Sequence, residues 1–265
     1  MRNKINRCFV TLCLLLTINV GSVFAQENVI PYPNGYDTKT AGASAADNMG
    51  DYANSPYFSQ LDFYNMPSGG SLVLLEKFKT YQQTTEWSCG NAAAIMVLNY
   101  FGDNRYEELS IVKAMETTPL PSDGVMKKGV LYGTSTAGMV KFFQGIGYKV
   151  QSSLDSTKPN GTTFDDYTAW QNWVVDNLKN GRPILVDWLD WSGHWQVIIG
   201  YDTLGTDTPY DDVVIFADPY DVGDHKQDGY YIFSGLRFFY MWNDFQFQPT
   251  GHQSQQWVIA VPQNK

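Results

Sequence analysis

Large apolar side chains recur every three or four residues in the segment 164–179, which predicts an amphipathic helix that ends at Gly181. These side chains are Tyr167, Trp170, Val174 and Leu178. Three further helices are predicted at Asn91–Tyr100, Tyr106–Met115 and Thr134–Gly145. The first of them is apolar and alanine-rich, which is typical of a buried helix, and Thr134 is a plausible N-cap for the last.

After Gly181 the pattern changes to short apolar runs that predict β-strands. They are Pro183–Leu189, His194–Tyr201, Val213–Ala217, Tyr230–Phe233 and Trp257–Val261, and two earlier strands are predicted at Ser71–Phe78 and Tyr148–Ser152. Because most helices precede most strands, the sequence predicts an α+β domain with a helical half and a sheet half.

The N-terminus has the pattern of an export signal. Arg2, Lys4 and Arg7 precede an apolar run at 8–20, and small residues follow up to Ala25. We therefore expect a signal peptide at 1–25 and a secreted or periplasmic protein, with an uncleaved membrane anchor as the alternative.

Residues 26–70 show no sustained period and are rich in small and polar residues. They are expected to form an N-terminal extension: a pro-segment, an arm wrapped over the domain, or a flexible leader. The main domain is expected at 71–265.

The net charge of −9 disfavours nucleic acid and anionic membranes as partners, so a peptide or protein substrate is expected. The oligomeric state stays open. No cofactor is expected, and the three scattered histidines without an HExxH motif argue against a metal. An acidic loop at 218–228 could bind calcium, although its spacing is not that of an EF-hand.

Only one of the three cysteines, Cys89, lies outside the expected signal peptide. A lone thiol in an exported protein is either a buried small apolar residue or a working nucleophile. Cys89 stands at the start of a predicted helix, where the helix dipole favours a thiolate, and Gly90 permits close approach of a substrate.

The other parts of a thiol-based site are also present. His194 begins a predicted strand and Asp218 ends the next, so a hairpin would bring base and orienting acid together. Gln83, six residues before Cys89, could donate to an oxyanion together with the Cys89 N–H. Gln82 is the neighbouring alternative to Gln83.

The stretches 83–102, 192–202 and 213–221 together resemble cysteine peptidase family 39, which includes the double-glycine leader peptidases of the papain-like clan. The resemblance covers about residues 71–262 and implies a papain-like fold. It also implies Cys89 as nucleophile, His194 as base, Asp218 as its orienter and Gln83 as oxyanion donor. Asn91 departs from the family pattern, where proline commonly follows Cys-Gly.

The expected activity is therefore hydrolysis of a peptide or amide bond through an acyl-thioester. A transferase or cell-wall amidase on the same site, or a non-catalytic peptide-binding module, stays open. His225 and His252 are weaker candidates for the base, because no strand-borne acid follows either of them. Asp187 and Asp190 mildly favour a neutral or basic substrate.

Overall fold

The computed structural model describes residues 27–46, 61–223 and 227–263. None of the helices in these ranges combines the length and apolarity that a membrane crossing requires. The expected signal peptide, residues 47–60 of the extension and His225 lie outside the described residues.

The helices and strands alternate along the first part of the chain, and strands dominate the second part. The elements are β1 (Leu72–Leu74), α1 (Cys89–Tyr100), α2 (Thr136–Gly145), β2 (Tyr148–Ser152), α3 (Tyr167–Lys179), β3 (Ile184–Leu189), β4 (Gly193–Asp202), β5 (Val213–Ala217), β6 (Tyr230–Ser234), α4 (Gly235–Met241) and β7 (Gln256–Pro262).

The described strands form one antiparallel sheet in the order β2-β7-β3-β4-β5-β6. The long strand β4 pairs with β3 over its first half and with β1 over its second half. The expected hairpin is confirmed, since β4 and β5 pair from Val197–Ala217 to Asp202–Val213. The α+β fold class is confirmed with it.

Helices cover both faces of the sheet. Trp188 of β3 packs on Phe238 of α4, at 5.1 Å between ring centroids. Trp195 of β4 lies on the alternate face, because Trp188 is paired with His194, and it packs close to Gly90 of α1. Helix α1 is buried from Cys89 to Leu98, and its alanines allow the close approach to the sheet.

Two helices differ in the structure from what the sequence predicts. The helix expected at 106–115 is wrong: only the 3₁₀ turn Glu108–Ile111 forms, because the Glu108 side chain is turned into the domain to bind the loop before α1. Helix α2 starts later than expected because Ser135, not Thr134, caps it by accepting the Gly138 N–H. Helix α4 was not predicted.

Part of the N-terminal extension packs against the domain. Val29 and Thr80 form a parallel bridge, and the Ser44 N–H donates to the Gln83 carbonyl oxygen at 3.3 Å. Gly42, with φ +68°, lies so close that an added Cβ would stand 2.5 Å from that same oxygen. Residues 27–46 therefore form an arm that touches the loop leading to Cys89.

Candidate active site

Cys89 is the first residue of α1, as the sequence predicts. Ser88 precedes it but does not cap the helix with its side chain, because the Ser88 hydroxyl donates to Glu108 instead. The first N–H groups of a helix have no partner within the helix and favour negative charge. Cys89 is buried, with 8% of the residue exposed, and lines the cleft described below.

The fold brings Cys89, His194 and Asp218 together. The His194 ring lies close to Cys89 in the lining of one cleft, and its Nε2 lies 2.7 Å from Oδ1 of Asp218. With Nε2 committed to the carboxylate, the other ring nitrogen is left for the thiol. This is the arrangement of nucleophile, base and orienting acid that thiol catalysis needs.

The surroundings favour a charged imidazole. Burial lowers the pKa of His194, but the Asp218 charge and hydrogen bond, together with Cys89, outweigh it and raise the pKa well above the usual value. An imidazolium next to the thiol in turn stabilises a thiolate.

Two glutamines hold Asp218: Gln196, which the sequence analysis did not assign to the site, and Gln82, which it named as the alternative to Gln83. Gln196 donates from Nε2 to Oδ2 of Asp218 at 3.0 Å, while Gln82 donates to its main-chain oxygen at 2.7 Å. Gln196 could have been noticed, because it stands two residues after His194 on the same face of β4. Gln82 therefore helps to hold Asp218 in position through its main chain.

Gln83 lies in the cleft near Cys89 and is 2% exposed. Its Nε2 donates one hydrogen bond to the Thr85 carbonyl oxygen at 2.7 Å. Since a side-chain amide carries two N–H donors, the second can serve an oxyanion. The structure thus brings all four predicted residues into one region, and their catalytic roles stay predictions.

A buried acid that the sequence did not reveal holds the loop between Gln83 and Cys89. Glu108, fully buried, accepts hydrogen bonds from the Thr84 N–H, the Thr84 and Ser88 hydroxyls and the Tyr81 phenol. Burial raises the pKa of Glu108, against the effect of these donors. No local pattern distinguishes Glu108 from exposed Glu107.

The cleft beside Cys89 has a volume of about 300 Å³, and its exposed surface is mostly apolar. Its aromatic walls are Trp87, Tyr132, Trp191, Trp195 and Phe247. Trp191 is 60% exposed and lies over the base, with its ring centroid 6.0 Å from that of His194. Such a wall suits an extended substrate, because aromatic rings bury large area yet tolerate polar neighbours.

An acid stands next to the base. Burial and the Asp218 charge raise the pKa of Asp190 to about 6, against the lowering effect of His194. The Asp190 carboxyl also accepts from Gln196 at 3.4 Å.

The remaining described histidine lies elsewhere: His252 packs against Gly161 and is not among the residues of the cleft. In the part of the chain that the structure describes, no cluster of three His, Cys, Asp or Glu side chains could hold a metal ion. Within the acidic loop, Asp221 and Asp228 accept main-chain N–H groups of Gly229 and Tyr230.

A helix-borne thiol facing an imidazole at the start of an antiparallel strand defines a papain-like peptidase fold. The chain belongs to the Peptidase_C39 like family, whose family model matches residues 75–250. The resemblance found in the sequence is thereby confirmed, and membership indicates a cysteine peptidase.

Solved structures similar to this chain include two peptidase domains. The peptidase domain of Streptococcus ComA, a bi-functional ABC transporter involved in a quorum sensing pathway, is 18% identical, with a TM-score of 0.39 over 70% of this chain and 99% of that one. The peptidase domain of Streptococcus mutans ComA is 13% identical, with a TM-score of 0.34 over 70% of this chain and 100% of that one. No curated protein matches the chain.

Proposed function

We propose that this protein is a secreted cysteine peptidase that cleaves a peptide or related amide bond through Cys89, His194 and Asp218. The observation that supports this most is the buried His194 ring, which is paired with the Asp218 carboxylate at 2.7 Å and lines the same cleft as Cys89. A thiol that is only core filler does not require a buried, carboxylate-paired imidazole next to it.

In the proposed reaction, the His194 nitrogen that faces Cys89 takes the thiol proton, and the thiolate attacks the substrate carbonyl carbon. The oxyanion accepts hydrogen bonds from the Cys89 N–H and the Gln83 amide. His194 then gives its proton to the leaving amine, which departs and leaves an acyl-thioester. Water, deprotonated by His194, attacks the thioester, and the acid product and the thiol are released.

The test is labelling with a thiol-reactive peptidyl electrophile, followed by mass spectrometry. We expect the wild type to be labelled at Cys89, Cys89→Ala to be unlabelled, and His194→Ala to react slower by at least about 10²-fold. His252→Ala is the matched control and should label like the wild type. Equal rates for wild type and His194→Ala would refute the proposal.

Export is part of the proposal and rests on the basic residues, apolar run and small residues of the first 25 positions. N-terminal sequencing of the protein recovered outside the cytoplasm of a bacterial host should find a start at Gln26. An intact N-terminus starting at Met1 would contradict the proposed signal cleavage.

A further inference from the structure

The arm formed by residues 27–46 packs on the loop that leads to Cys89 from outside the cleft. The Gly42 N–H donates to Oε1 of Glu86 at 2.9 Å, and the Ser44 N–H donates to the Gln83 oxygen at 3.3 Å. Residues 42–44 are buried. Within the described part of the chain, no residue of the arm lines the cleft. The arm therefore contacts the loop without covering Cys89.

Gly42 touches the loop with its main chain. A Cβ on Gly42 would stand 2.5 Å from the Gln83 oxygen and 2.6 Å from both the Thr84 carbonyl carbon and the Thr85 nitrogen. These are main-chain atoms, which cannot swing aside as the end of a flexible side chain can. The φ of Gly42 is +68°, in the left-handed region that glycine adopts without strain. Only glycine therefore permits this close approach of arm and loop.

The segment that Gly42 touches orients the proposed oxyanion donor. Nε2 of Gln83 donates to the Thr85 oxygen at 2.7 Å, whereas Oε1 of Gln83 is buried and has no donor among the described residues. The direction of the Gln83 amide is thus set by the position of the Thr85 carbonyl group. A shift of Thr85 would turn the amide, and with it the N–H that is left for an oxyanion.

Other contacts hold the loop on either side of this point. The Thr84 N–H donates to Glu108 at 2.9 Å, and the Thr85 hydroxyl donates to the Ser88 hydroxyl at 2.6 Å. Gly42 is in contact with the peptide that joins Thr84 to Thr85, between these two anchors. The arm thus supports the main chain of the loop where it determines the direction of the amide.

We infer that Gly42 is a positioning residue of the active site: its main chain holds Thr85, and through Thr85 the Gln83 amide, in the orientation that stabilises an oxyanion. Loss of the arm would then lower the activity, whereas loss of an inhibitory pro-segment would raise it. This inference rests on the proposed peptidase function and names a residue that the reaction needs although it touches no substrate.

The test compares two reactions of Cys89. With N-acetylglycine p-nitrophenyl ester, the sulfur bonds to the carbonyl carbon, an oxyanion forms, and p-nitrophenolate leaves while an acyl-thioester remains. With iodoacetamide, the sulfur displaces iodide from a saturated carbon, and no oxyanion forms. The measured quantities are the rate of p-nitrophenolate release in the first turnover and the rate of alkylation, followed by mass spectrometry.

Gly42→Ala should slow the ester reaction by at least about tenfold, because a small displacement of an oxyanion donor is costly. Its iodoacetamide rate should stay within about twofold of the wild type. Gly35→Ala is the matched control: Gly35 lies in the same arm with φ +90°, but no atom lies within 4 Å of an added Cβ. Both of its rates should stay within about twofold of the wild type.

Three results would overturn the inference. The first is an unchanged ester rate in Gly42→Ala. The second is an equal loss of both rates in Gly42→Ala, which would place the damage at Cys89 or in the fold as a whole. The third is an equal loss of the ester rate in Gly35→Ala, which would assign the effect to strain in the arm. Thermal unfolding of both variants shows whether they are folded.

A double variant tests the route through Gln83. If Gly42 acts through the amide, Gly42→Ala should slow the ester reaction of Gln83→Ala by less than about twofold. A further tenfold loss would contradict this route. If the wild type releases p-nitrophenolate no faster than Cys89→Ala, the peptidase function itself fails. If the wild type is acylated and Gly42→Ala reacts equally fast, only the positioning role of Gly42 fails.

Discussion

The Gln82 side chain donates a hydrogen bond to the main-chain oxygen of Asp218, at 2.7 Å. The same amide accepts the Asp221 N–H at 3.0 Å, and the neighbouring Gln83 N–H donates to the Pro219 oxygen at 2.8 Å. The loop before the nucleophile is thus tied to the segment that carries the orienting acid, although the two lie 136 positions apart in the chain.

The two adjacent glutamines should therefore behave differently. Gln83→Ala is expected to lower kcat, or the labelling rate, by about 10²-fold through loss of an oxyanion donor. Gln82→Ala should instead lower the free energy of unfolding by about 1–3 kcal/mol, because it leaves buried main-chain groups unpaired. The two effects are measured by the labelling rate and by urea unfolding of both variants. The reverse pattern would make Gln82 the oxyanion donor.

The raised pKa of His194 gives the site a defined pH dependence. We expect an NMR titration of the His194 ring to show the charged imidazolium through neutral pH, with its alkaline limit above the usual histidine range. Asp218→Asn removes the charge that raises the pKa, so the alkaline limit should move to lower pH. A profile unchanged by Asp218→Asn would contradict the assignment of Asp218.

The same shift predicts a dependence of stability on pH. The folded-state pKa of His194 lies above its unfolded value of 6.5, so the stabilisation is complete below that value and is lost as pH rises through the folded pKa. Urea unfolding of wild type and His194→Gln across this range should show their difference shrinking at high pH. A difference that stays constant would contradict the shift.

Asp190, unlike His194, should lower the stability of the folded protein at neutral pH. Its folded pKa of about 6 lies above its ordinary value of 3.8, so its ionisation costs folding free energy, and this cost builds up between those two pH values. Asp190→Asn is expected to stabilise the protein by about 1 kcal/mol near pH 8, after allowance for solvent screening, and to have little effect near pH 4. Thermal unfolding at the two pH values is the measurement, and an equal gain at both would argue against titration of Asp190.

Glu108 should contribute strongly to folding stability, because it holds the loop before Cys89. Glu108→Ala leaves the Thr84 N–H and three hydroxyls without their acceptor, and should cost about 3 kcal/mol or more. Glu116→Gln, which removes only an exposed ion pair with Lys141, should cost less than about 1 kcal/mol. Similar losses in the two variants, by urea unfolding, would contradict this role for Glu108.

The sequence alone predicted much of the fold, because the elements are encoded by local patterns. The apolar spacing predicted α1, α3 and the β4–β5 hairpin, and β2 and β5 have the expected bounds. The sequence also pointed to Cys89, His194, Asp218 and Gln83, since each stands at a definite place relative to an element. The helix expected at 106–115 does not form, because the tertiary contacts of Glu108 outweigh the local preference for a helix.

The tertiary structure alone decided which buried polar groups meet. Glu108 reaches the loop at Thr84, and Gln82 reaches Asp218. In each pair the partners are far apart in the chain, and either residue by itself has the pattern of an ordinary surface side chain. Periodicity records which face of an element is apolar, whereas the pairing of buried charges depends on how distant elements pack together.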